Sequence, residues 1–442
     1  MNLKVKIRNK KWWGVLLVAV MIVTSACGNG SSDNRQAANN ETGTGNREQT
    51  ETIELVYQAH ITPNLTAEYY DEMIRLFESE HPGVKVTRIQ APASEGSNDN
   101  YLKTLLASGD FPDVASNFNA LALVQSEALL EIPIDDDVKQ IKNYEMLLHD
   151  GKLYDLSANI QPHSLIFYNK SLFAQAGISQ TPRTWDELDE VVERLQAEGI
   201  TPMLTSGEWI TGWAFSAMSA PEVFLGQPDW YAKRYENQVS FTDPDWLEAA
   251  ERWHSMAMNG YFNEGALSIG FADLEQVFLS GQGAMMPMGV WFTATADANQ
   301  PDFEVGVFPV PTKDGTLSMV GGQNQAGNHA VSKLTAHPEE AVNFAKFMVL
   351  NHEAHSRFLE ADGLFSNLQE TVEYNFTPLQ REVAEILEQV EQYTGHASSA
   401  AGKAPVAGIS NQYRVVAQNL MFSGADIEAE MRSLDEYWDS HE

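Results

Sequence analysis

The sequence is poor in cysteine and in basic residues. Cys27 is the only cysteine in 442 residues, so no disulfide can form within the chain and packing alone must hold the core. The 28 lysine and arginine residues stand against 61 aspartate and glutamate residues, which gives a formal net charge of −33. A surface of that sign repels phosphate groups, so nucleic acid and anionic membrane surfaces are excluded as favourable partners.

Common catalytic and metal-binding motifs are also absent. The chain contains no G-x-S-x-G, no H-E-x-x-H and no phosphate-binding Gly-Lys motif. His352 and His355 are three residues apart, which is a poor zinc spacing without a third ligand. The acidic run 134–139 lacks the alternating ligand pattern of a calcium loop. We therefore expect no catalytic residue, no cofactor and no metal site.

Long hydrophobic runs are missing as well, with one exception near the start. Residues 12–26 are apolar, follow five basic residues and end in small side chains. This order predicts a secretory signal peptide over residues 1–26, because the run is too short for a comfortable membrane span. Residues 24–27 resemble a bacterial lipobox, with Thr24 where leucine is more usual. The resemblance implies a lipid, including palmitate, on Cys27; an uncleaved anchor helix and a buried thiol are the alternatives.

The segment after the predicted cleavage point lacks the large apolar side chains that form a hydrophobic core. From Gly28 to Thr52 no apolar residue is larger than alanine, so residues 27–52 are predicted to be a disordered tether. Loss of the five basic residues in the leader lowers the net charge from −33 to −38. The remaining chain would be held at the extracellular face of the cell membrane, tethered and not embedded.

Beyond the tether, strand and helix patterns alternate. Residues 53–60 alternate as a strand, Thr62 before Pro63 predicts a helix start, and residues 84–89 form the next strand. Thr184 and Glu187 have the spacing of a capping box at the start of a helix. The C-terminal third reads as mostly helical. This alternation predicts an α/β protein with sheets flanked by helices.

Several stretches together resemble one family. The chain is similar to the extracellular solute-binding proteins of bacterial ABC importers, in the sugar-binding, maltose-binding-protein-like group. No single stretch is specific, but their order spans roughly 300 residues. The stretches that carry the resemblance are SGDFPDV (108–114), FYNKSLFAQAGI (167–178), PRTWDELDEVVERLQAEGITP (182–202), FLSGQGAMMPMGVW (278–291), VGVFPVP (305–311) and HPEEAVNFAKFM (337–348).

The resemblance implies a two-lobed, periplasmic-binding-protein-like fold of type II. Each lobe is a sheet flanked by helices, and the ligand cleft lies between the lobes. Residues 53–162 and 309–350 would form the N-terminal lobe, and residues 163–308 and 351–442 the C-terminal lobe. The chain would cross between them near 161–164, 308–311 and 350. The implied protein is a monomer that captures a sugar, most readily an oligosaccharide, and delivers it to ABC transporter permeases.

A sugar needs aromatic faces for its C–H patches and planar polar groups for its hydroxyls. Trp185, Trp246, Trp253 and Trp438 sit in amphipathic helices and are best explained as core residues. The candidates for the cleft are the tryptophans in Gly-, Ser- or Pro-containing connections, although such residues also cover the edges of cores. These candidates are Trp291, Trp209, Trp213 and Trp230.

Polar candidates come from strand ends that would face the cleft. They comprise His60, Asn117, Asn119, Asp113, His163, Gly322 and Gln323, with Gly321, Asn324 and Gln325 beside the last two. Each group has a plainer interpretation. Asp113 could cap a turn, His163 could be a satisfied structural histidine, and residues 321–325 could be a polar surface loop.

Two other functions stay open. An exported carbohydrate-active hydrolase would need a carboxylate pair, and 61 acidic residues provide pairs by chance. A sensor that presents its ligand to a membrane receptor would use the same fold. We nevertheless expect a binding protein and no enzyme.

Overall fold

A computed structural model describes residues 52–92, 98–323, 326–393 and 405–442, with the backbone alone at 321–323 and 391–393. The predicted signal peptide, the tether with Cys27, and the candidates Asn324 and Gln325 lie outside the described residues. Across those ranges, no helix combines the length and the apolar character that crossing a bilayer requires.

Helices are the most abundant regular structure in the described chain. Their bounds are α1 (Ala67–Glu80), α2 (Asn98–Ser108), α3 (Ala120–Gln125), α4 (Lys170–Gln175), α5 (Trp185–Ala197), α6 (Ile210–Phe224), α7 (Trp230–Tyr235), α8 (Pro244–Met258), α9 (Phe271–Leu279), α10 (Phe292–Asn299), α11 (Pro338–Leu350), α12 (His352–Asp362), α13 (Pro378–Leu387), α14 (Ile409–Asn419) and α15 (Ile427–His441).

The strands are short, and helices separate many of them. Their bounds are β1 (Ile53–Gln58), β2 (Val84–Ile89), β3 (Val114–Ser116), β4 (Leu148–His149), β5 (Lys152–Leu153), β6 (Asp155–Leu156), β7 (Asn159–Pro162), β8 (Leu165–Asn169), β9 (Met285–Met288), β10 (Val305–Pro309), β11 (Ser318–Gln323), β12 (His329–Val331), β13 (Phe365–Ser366) and β14 (Glu391–Tyr393). β4 to β8 and β10 to β12 nevertheless follow one another without an intervening α-helix. The predicted α/β class is confirmed.

Three sheets and one small hairpin organise these strands. The first sheet has the order β2-β1-β3-β12-β6, in which β1 runs parallel to β2 and β3 whereas β12 is antiparallel to both its neighbours. The second sheet is antiparallel, with the order β10-β8-β9. The third has the order β13-β7-β11-β14, and β4 pairs with β5. In the chain, β7 lies between β6 of the first sheet and β8 of the second.

The first long helix begins later than the sequence suggested. We expected α1 to start at Thr62, but it starts at Ala67, where the Thr66 hydroxyl accepts a hydrogen bond from the backbone N–H of Tyr69. Thr62 closes a tight turn instead, because its hydroxyl accepts from the N–H of Leu65 at 2.9 Å. The prediction was wrong by about one turn of helix, and residues 61–65 are free to form a loop.

The helix start at Thr184 follows the sequence more closely. The hydroxyl of Thr184 accepts from the N–H of Glu187 at 3.1 Å, as a capping residue should. The carboxylate of Glu187 accepts from the N–H of Arg183, one residue before the cap. The first half of the predicted capping box is therefore confirmed, and the second bond is displaced by one residue.

Buried apolar side chains form several clusters. Helices α1 and α11 cover the first sheet through Phe77 and Phe344, and α5 covers the second through residues such as Leu188. One cluster includes both Leu156 of β6 and Phe167 of β8, so the apolar packing is continuous between the first and second sheets. The lobe boundaries given above remain a prediction, because residues 50–442 form one compact unit by their contacts.

Candidate ligand-binding site

The described residues enclose a cavity of about 510 Å³ at the ends of strands from different sheets. The loops after β1, β3, β7 and β9 line it, together with residues of α6, α9, α10 and α12. Its lining consists of His60, Ile61, Thr62, Pro63, Asn64, Leu65, Asn117, Gln161, His163, Trp209, Trp213, Phe271, Glu275, Trp291, Thr295, Ala326, Gly327 and Asp362. The structure brings six of the predicted residues together here: Trp291, Trp209, Trp213, His60, Asn117 and His163.

Aromatic rings form one wall of the cavity. The ring centroids of Trp213 and Trp291 are 5.6 Å apart, and those of Trp209 and Trp291 are 6.1 Å apart. Phe271 extends the wall, with its ring 5.0 Å from that of Trp209. Trp209 keeps 42% of its surface exposed. An exposed indole of this size is a ready surface for an apolar face of a ligand.

The start of α6 is tied to the start of α9 through Glu208. Glu208 has a left-handed backbone (φ 51°), and its carboxylate accepts from the N–H of Phe271 at 3.1 Å. Nearby, the N–H of Gly207 donates to the carbonyl of Ile269 at 3.0 Å. The bond from Phe271 satisfies an N–H group that the first turn of α9 leaves free. Together the two bonds connect the segment that precedes α6 to residues at and just before the start of α9. They also hold Trp209 and Phe271, which follow Glu208 and Gly270 directly, in contact with each other.

Trp291 is positioned by the strand that precedes it. The N–H of Val290 donates to the carbonyl of Pro162 at 3.0 Å, which fastens the end of β9 to β7. The indole of Trp291 folds over the backbone of Gly289, where an added Cβ would overlap the ring. Glycine at 289 is therefore a requirement of this indole orientation.

His163 lies behind the aromatic wall. Its ring centroid is 5.9 Å from those of both Trp213 and Trp291, and its Nε2 lies 3.1 Å from Oε1 of Gln161. Burial lowers the pKa of His163 to about 4, so the ring is neutral at pH 7. The predicted crossing at 161–164 thus brings both side chains to the cavity.

Residues that follow strands of the first sheet line another part of the cavity. His60 follows β1, and its backbone N–H donates to Oγ of Ser116 at 3.2 Å while its carbonyl accepts from the Tyr70 hydroxyl. Burial lowers the pKa of His60. Asn117 follows β3 with a left-handed backbone (φ 52°), held by a bond from its N–H to the carbonyl of Asn328.

Asn64 reaches across the cavity from the loop after β1. Its Nδ2 donates to the carbonyl of Trp291 at 3.0 Å and to a carboxylate oxygen of Asp362 at 3.2 Å. Its Oδ1 accepts from the hydroxyl of Thr295 at 3.0 Å. One side chain of the 61–65 loop therefore links the first sheet to α10 and to the end of α12.

Two acidic side chains lie at the buried side of the cavity. Asp362 is 9% exposed and Glu275 is 2% exposed. Burial raises the pKa of Asp362 to about 7, and the hydrogen bond from Asn64 opposes that shift. Burial also raises the pKa of Glu275 to about 7, and the nearby charge of Asp362 adds to the increase. Each carboxyl group therefore holds its proton more tightly than a carboxyl group in water does.

Three predicted residues lie elsewhere. Trp230 is 1% exposed in the helical core, with its ring 4.7 Å from that of Phe241, so the structure does not bring it to the cleft. Asp113 accepts hydrogen bonds from the N–H of Val56 at 2.8 Å and from the hydroxyl of Thr335 at 2.5 Å, so it connects distant segments instead of capping a turn, and it does not line the cavity. Asn119 is exposed at the start of α3 and does not line the cavity.

The predicted glycine-rich segment borders the cavity by its backbone. In the ladder between β11 and β7, Gly322 is opposite Gln161 and Gln323 is opposite Ile160. Ala326 and Gly327, a few residues further on, are part of the lining. A ligand role for Gly322 and Gln323 remains a prediction.

Sequence reasoning missed Asn64, Phe271, Glu275, Thr295 and Asp362. Glu275 had a signal, because Phe271, Leu274 and Phe278 mark the apolar stripe of α9 and residue 275 falls within it. An acidic residue on a buried stripe is a candidate for function. Asp362 had the same signal, since it follows Leu359 by three residues on α12. Asn64 had none, because its loop was assigned to a helix.

Fold and cavity together define the class of protein. Three sheets flanked by helices, with an aromatic-lined cavity at their strand ends, form the fold of type II periplasmic solute-binding proteins, as the similarity to solved structures shows. The chain belongs to the bacterial extracellular solute-binding protein family, whose model matches residues 62–353.

Individual relatives agree with this assignment. The chain is 25% identical over 326 residues to a multiple sugar-binding protein of Streptococcus mutans, which covers 68% of this chain and 74% of that protein. The fold is similar to a chitin oligosaccharide binding protein, with a TM-score of 0.74, 22% identity, and coverage of 88% of this chain and 99% of the other. It is also similar to a solute-binding protein in complex with raffinose, with a TM-score of 0.70, 22% identity, and coverage of 88% and 100%.

Proposed function

We propose that this protein captures a sugar, most readily an oligosaccharide, outside the cell and delivers it to the permeases of an ABC importer. The observation that carries the proposal is that Trp209, Trp213 and Trp291 line one cavity together with polar residues that follow strands of the first sheet, His60 and Asn117. Indole faces cover the C–H patches of a sugar ring, and side-chain amides replace water around its hydroxyls. The names of the relatives, which include sugar-binding proteins, support the same ligand class.

The mechanism is capture by closure. The cavity takes side chains from the first sheet, such as His60 and Asn117, and from segments next to the second, such as Trp291. A ligand that contacts both sides stabilises the closed arrangement by its differential contacts. The strands β7 and β11, which lie between the two sheets in the chain, are suited to act as the hinge. The proposed lobes are residues 53–162 with 309–350, and 163–308 with 351–442.

Export and anchoring complete the proposal. The leader over residues 1–26 would be removed, and Cys27 would carry the lipid that holds a monomer at the extracellular face of the membrane. The support is the basic, apolar and small-residue order of residues 4–27. Mass spectrometry of the mature N-terminus tests this, and an unmodified cysteine would refute it.

Ligand capture is tested by isothermal titration of the purified protein with raffinose, maltotriose and chitotriose. We expect at least one neutral trisaccharide to bind. The substitution Trp291→Ala should lower the affinity for that sugar by about tenfold, equivalent to roughly 1.4 kcal/mol. Phe422→Ala is the control, because Phe422 is a large exposed aromatic residue that does not line the cavity.

The same samples address catalysis. We propose that the protein binds without reaction, so chromatography should recover the sugar intact after incubation. Shortened products would favour a hydrolase instead. Absence of binding, or equal affinities for the Trp291 and Phe422 variants, would contradict the proposed binding site.

A further inference from the structure

Glu275 and Asp362, the two buried carboxyl groups of the cavity, form no ion pair with any residue that the structure describes. Oε1 of Glu275 has no hydrogen-bond partner within the described residues, although the side chain is almost wholly buried and lines the cavity. Asp362 receives one hydrogen bond, from the neutral amide of Asn64. A buried carboxylate is normally paired with a cation or with several donors.

The cavity itself does not supply that cation. No lysine or arginine is among its described lining residues. The two histidines of the lining, His60 and His163, have pKa values lowered by burial, so they are neutral at pH 7. Around the acidic pair, the described lining of the cavity thus consists of indoles, amides, neutral imidazoles and apolar or hydroxyl side chains.

The acids lie beside the aromatic wall. Glu275 follows Phe271 by four residues on α9 and so shares its face of the helix, and the Phe271 ring contacts Trp209. Asp362 is joined through the Asn64 amide to the backbone of Trp291. A ligand on the indoles is thus close to both carboxyl groups. Indole faces also attract cations, so the wall and the acids favour the same kind of ligand group.

We propose that the captured sugar carries a protonated amine, and that Glu275 and Asp362 bind this ammonium group. The inference rests on the proposed function and specifies its substrate class: amino-sugar oligosaccharides with a free amine. An ammonium group has three donors and a positive charge, so on binding it would lower the raised pKa values of both acids and favour their ionised, acceptor-only form. A neutral hydroxyl brings no charge that favours this form.

The test compares three β-1,4-linked trimers that differ mainly at carbon 2. The glucosamine trimer carries ammonium groups there, the N-acetylglucosamine trimer carries amides, and cellotriose carries hydroxyls. In isothermal titration at pH 7, we expect the glucosamine trimer to bind at least about tenfold more tightly than the other two, as expected for a partly buried charge pair.

Variants assign the preference to the acidic pair. Glu275→Gln keeps the shape and removes the charge, so the affinity for the glucosamine trimer should fall about tenfold while that for the neutral trimers changes little. Asp273→Asn is the matched control, because Asp273 is an exposed acidic residue on the same helix. Thermal melts of both variants verify folding.

The outcomes separate the two proposals. If neutral trimers, or raffinose and maltotriose, bind as tightly as the glucosamine trimer, the amine preference is refuted and sugar capture stands. An unchanged preference in Glu275→Gln also refutes the role of Glu275. If no sugar binds, sugar capture fails, and the inference that rests on it fails as well.

Discussion

Asp362 shows how one residue links the site to stability. Its pKa is raised to about 7 in the folded protein, whereas the pKa of an aspartate in an unfolded chain is about 3.9. Between these values the folded state holds a proton that the unfolded state has lost. The contribution of this group to stability is therefore fully present below about pH 4 and is lost as the pH rises toward about 7.

We predict that Asp362→Asn, which cannot ionise, gains stability relative to the parent protein as the pH rises from 5 to 8. The measurement is the melting temperature of the ligand-free protein, where each kcal/mol corresponds to about 2–4 °C. Buried His163, His329 and His355 have pKa values lowered to about 4. They titrate with the opposite sign, but they are common to both proteins and largely cancel in the difference.

Asp273→Asn is again the control, because its carboxyl group is exposed. Its melting temperature should follow that of the parent protein at every pH. A difference between Asp362→Asn and the parent that stays constant, or that shrinks as the pH rises, would contradict the raised pKa of Asp362.

At the scale of elements, α6 matters most because it carries Trp213 and starts next to Trp209. This helix packs closely against α14. A Cβ added at Gly212 would overlap backbone atoms of Arg414, so the two helices approach at a distance that only glycine permits. Backbone atoms cannot move aside as a flexible side chain can, and the crossing is accordingly fixed.

We predict that Gly212→Ala lowers the free energy of unfolding by roughly 1–3 kcal/mol, since the overlap forces α6 and α14 apart. In an unobstructed helix the same change would stabilise the folded protein by about 0.5–1 kcal/mol, so the sign of the change in unfolding free energy distinguishes the two cases. Denaturant unfolding measures this free energy. Gly226→Ala is the control, because a Cβ there meets no atom within 4 Å. A stabilised Gly212→Ala would show that the helices are not in close contact.

The elements were largely predictable from the sequence, because periodicity and capping are local. The strand predicted at 53–60, which the structure has at Ile53–Gln58, and the helix cap at Thr184 both follow from neighbouring residues. The start of α1 was not predictable from the sequence, because Thr62 and Thr66 are equally good capping residues. The tight turn that Thr62 closes decides between them. Trp230 was misjudged for another reason: whether a loop-adjacent indole faces the core or the cleft depends on tertiary packing. Glu275 and Asp362 were missed, although each is an acidic residue on the apolar stripe of its helix and could have been found from the sequence.

At the scale of the molecule, the side chain of Asn64 connects parts that are distant in sequence. It extends from the loop after β1 and makes three hydrogen bonds, to Trp291, Thr295 and Asp362. The first sheet is thereby fastened to the start of α10 across the cavity. In the proposed mechanism these bonds favour the closed arrangement before any ligand arrives.

We predict that Asn64→Ala shifts the ligand-free protein toward an open form with a larger radius of gyration. Side-chain hydrogen bonds contribute about 0.5–1.5 kcal/mol each, and about 1.4 kcal/mol changes a population ratio tenfold. Small-angle X-ray scattering without ligand measures the change. Asn119→Ala is the control, because Asn119 is an exposed asparagine near the end of the same sheet. Identical scattering of the Asn64 variant and the parent would exclude this role.

The buried cluster shared by Leu156 and Phe167 limits how the two sheets can separate. Parting them there would admit water to a dry interior, so any rotation must pivot near that point and displace the outer loops most. A small solute deep in the cleft would then meet walls that hardly move. A long solute would also contact the outer loops, which move most. The change in conformation on binding would therefore increase with the length of the solute.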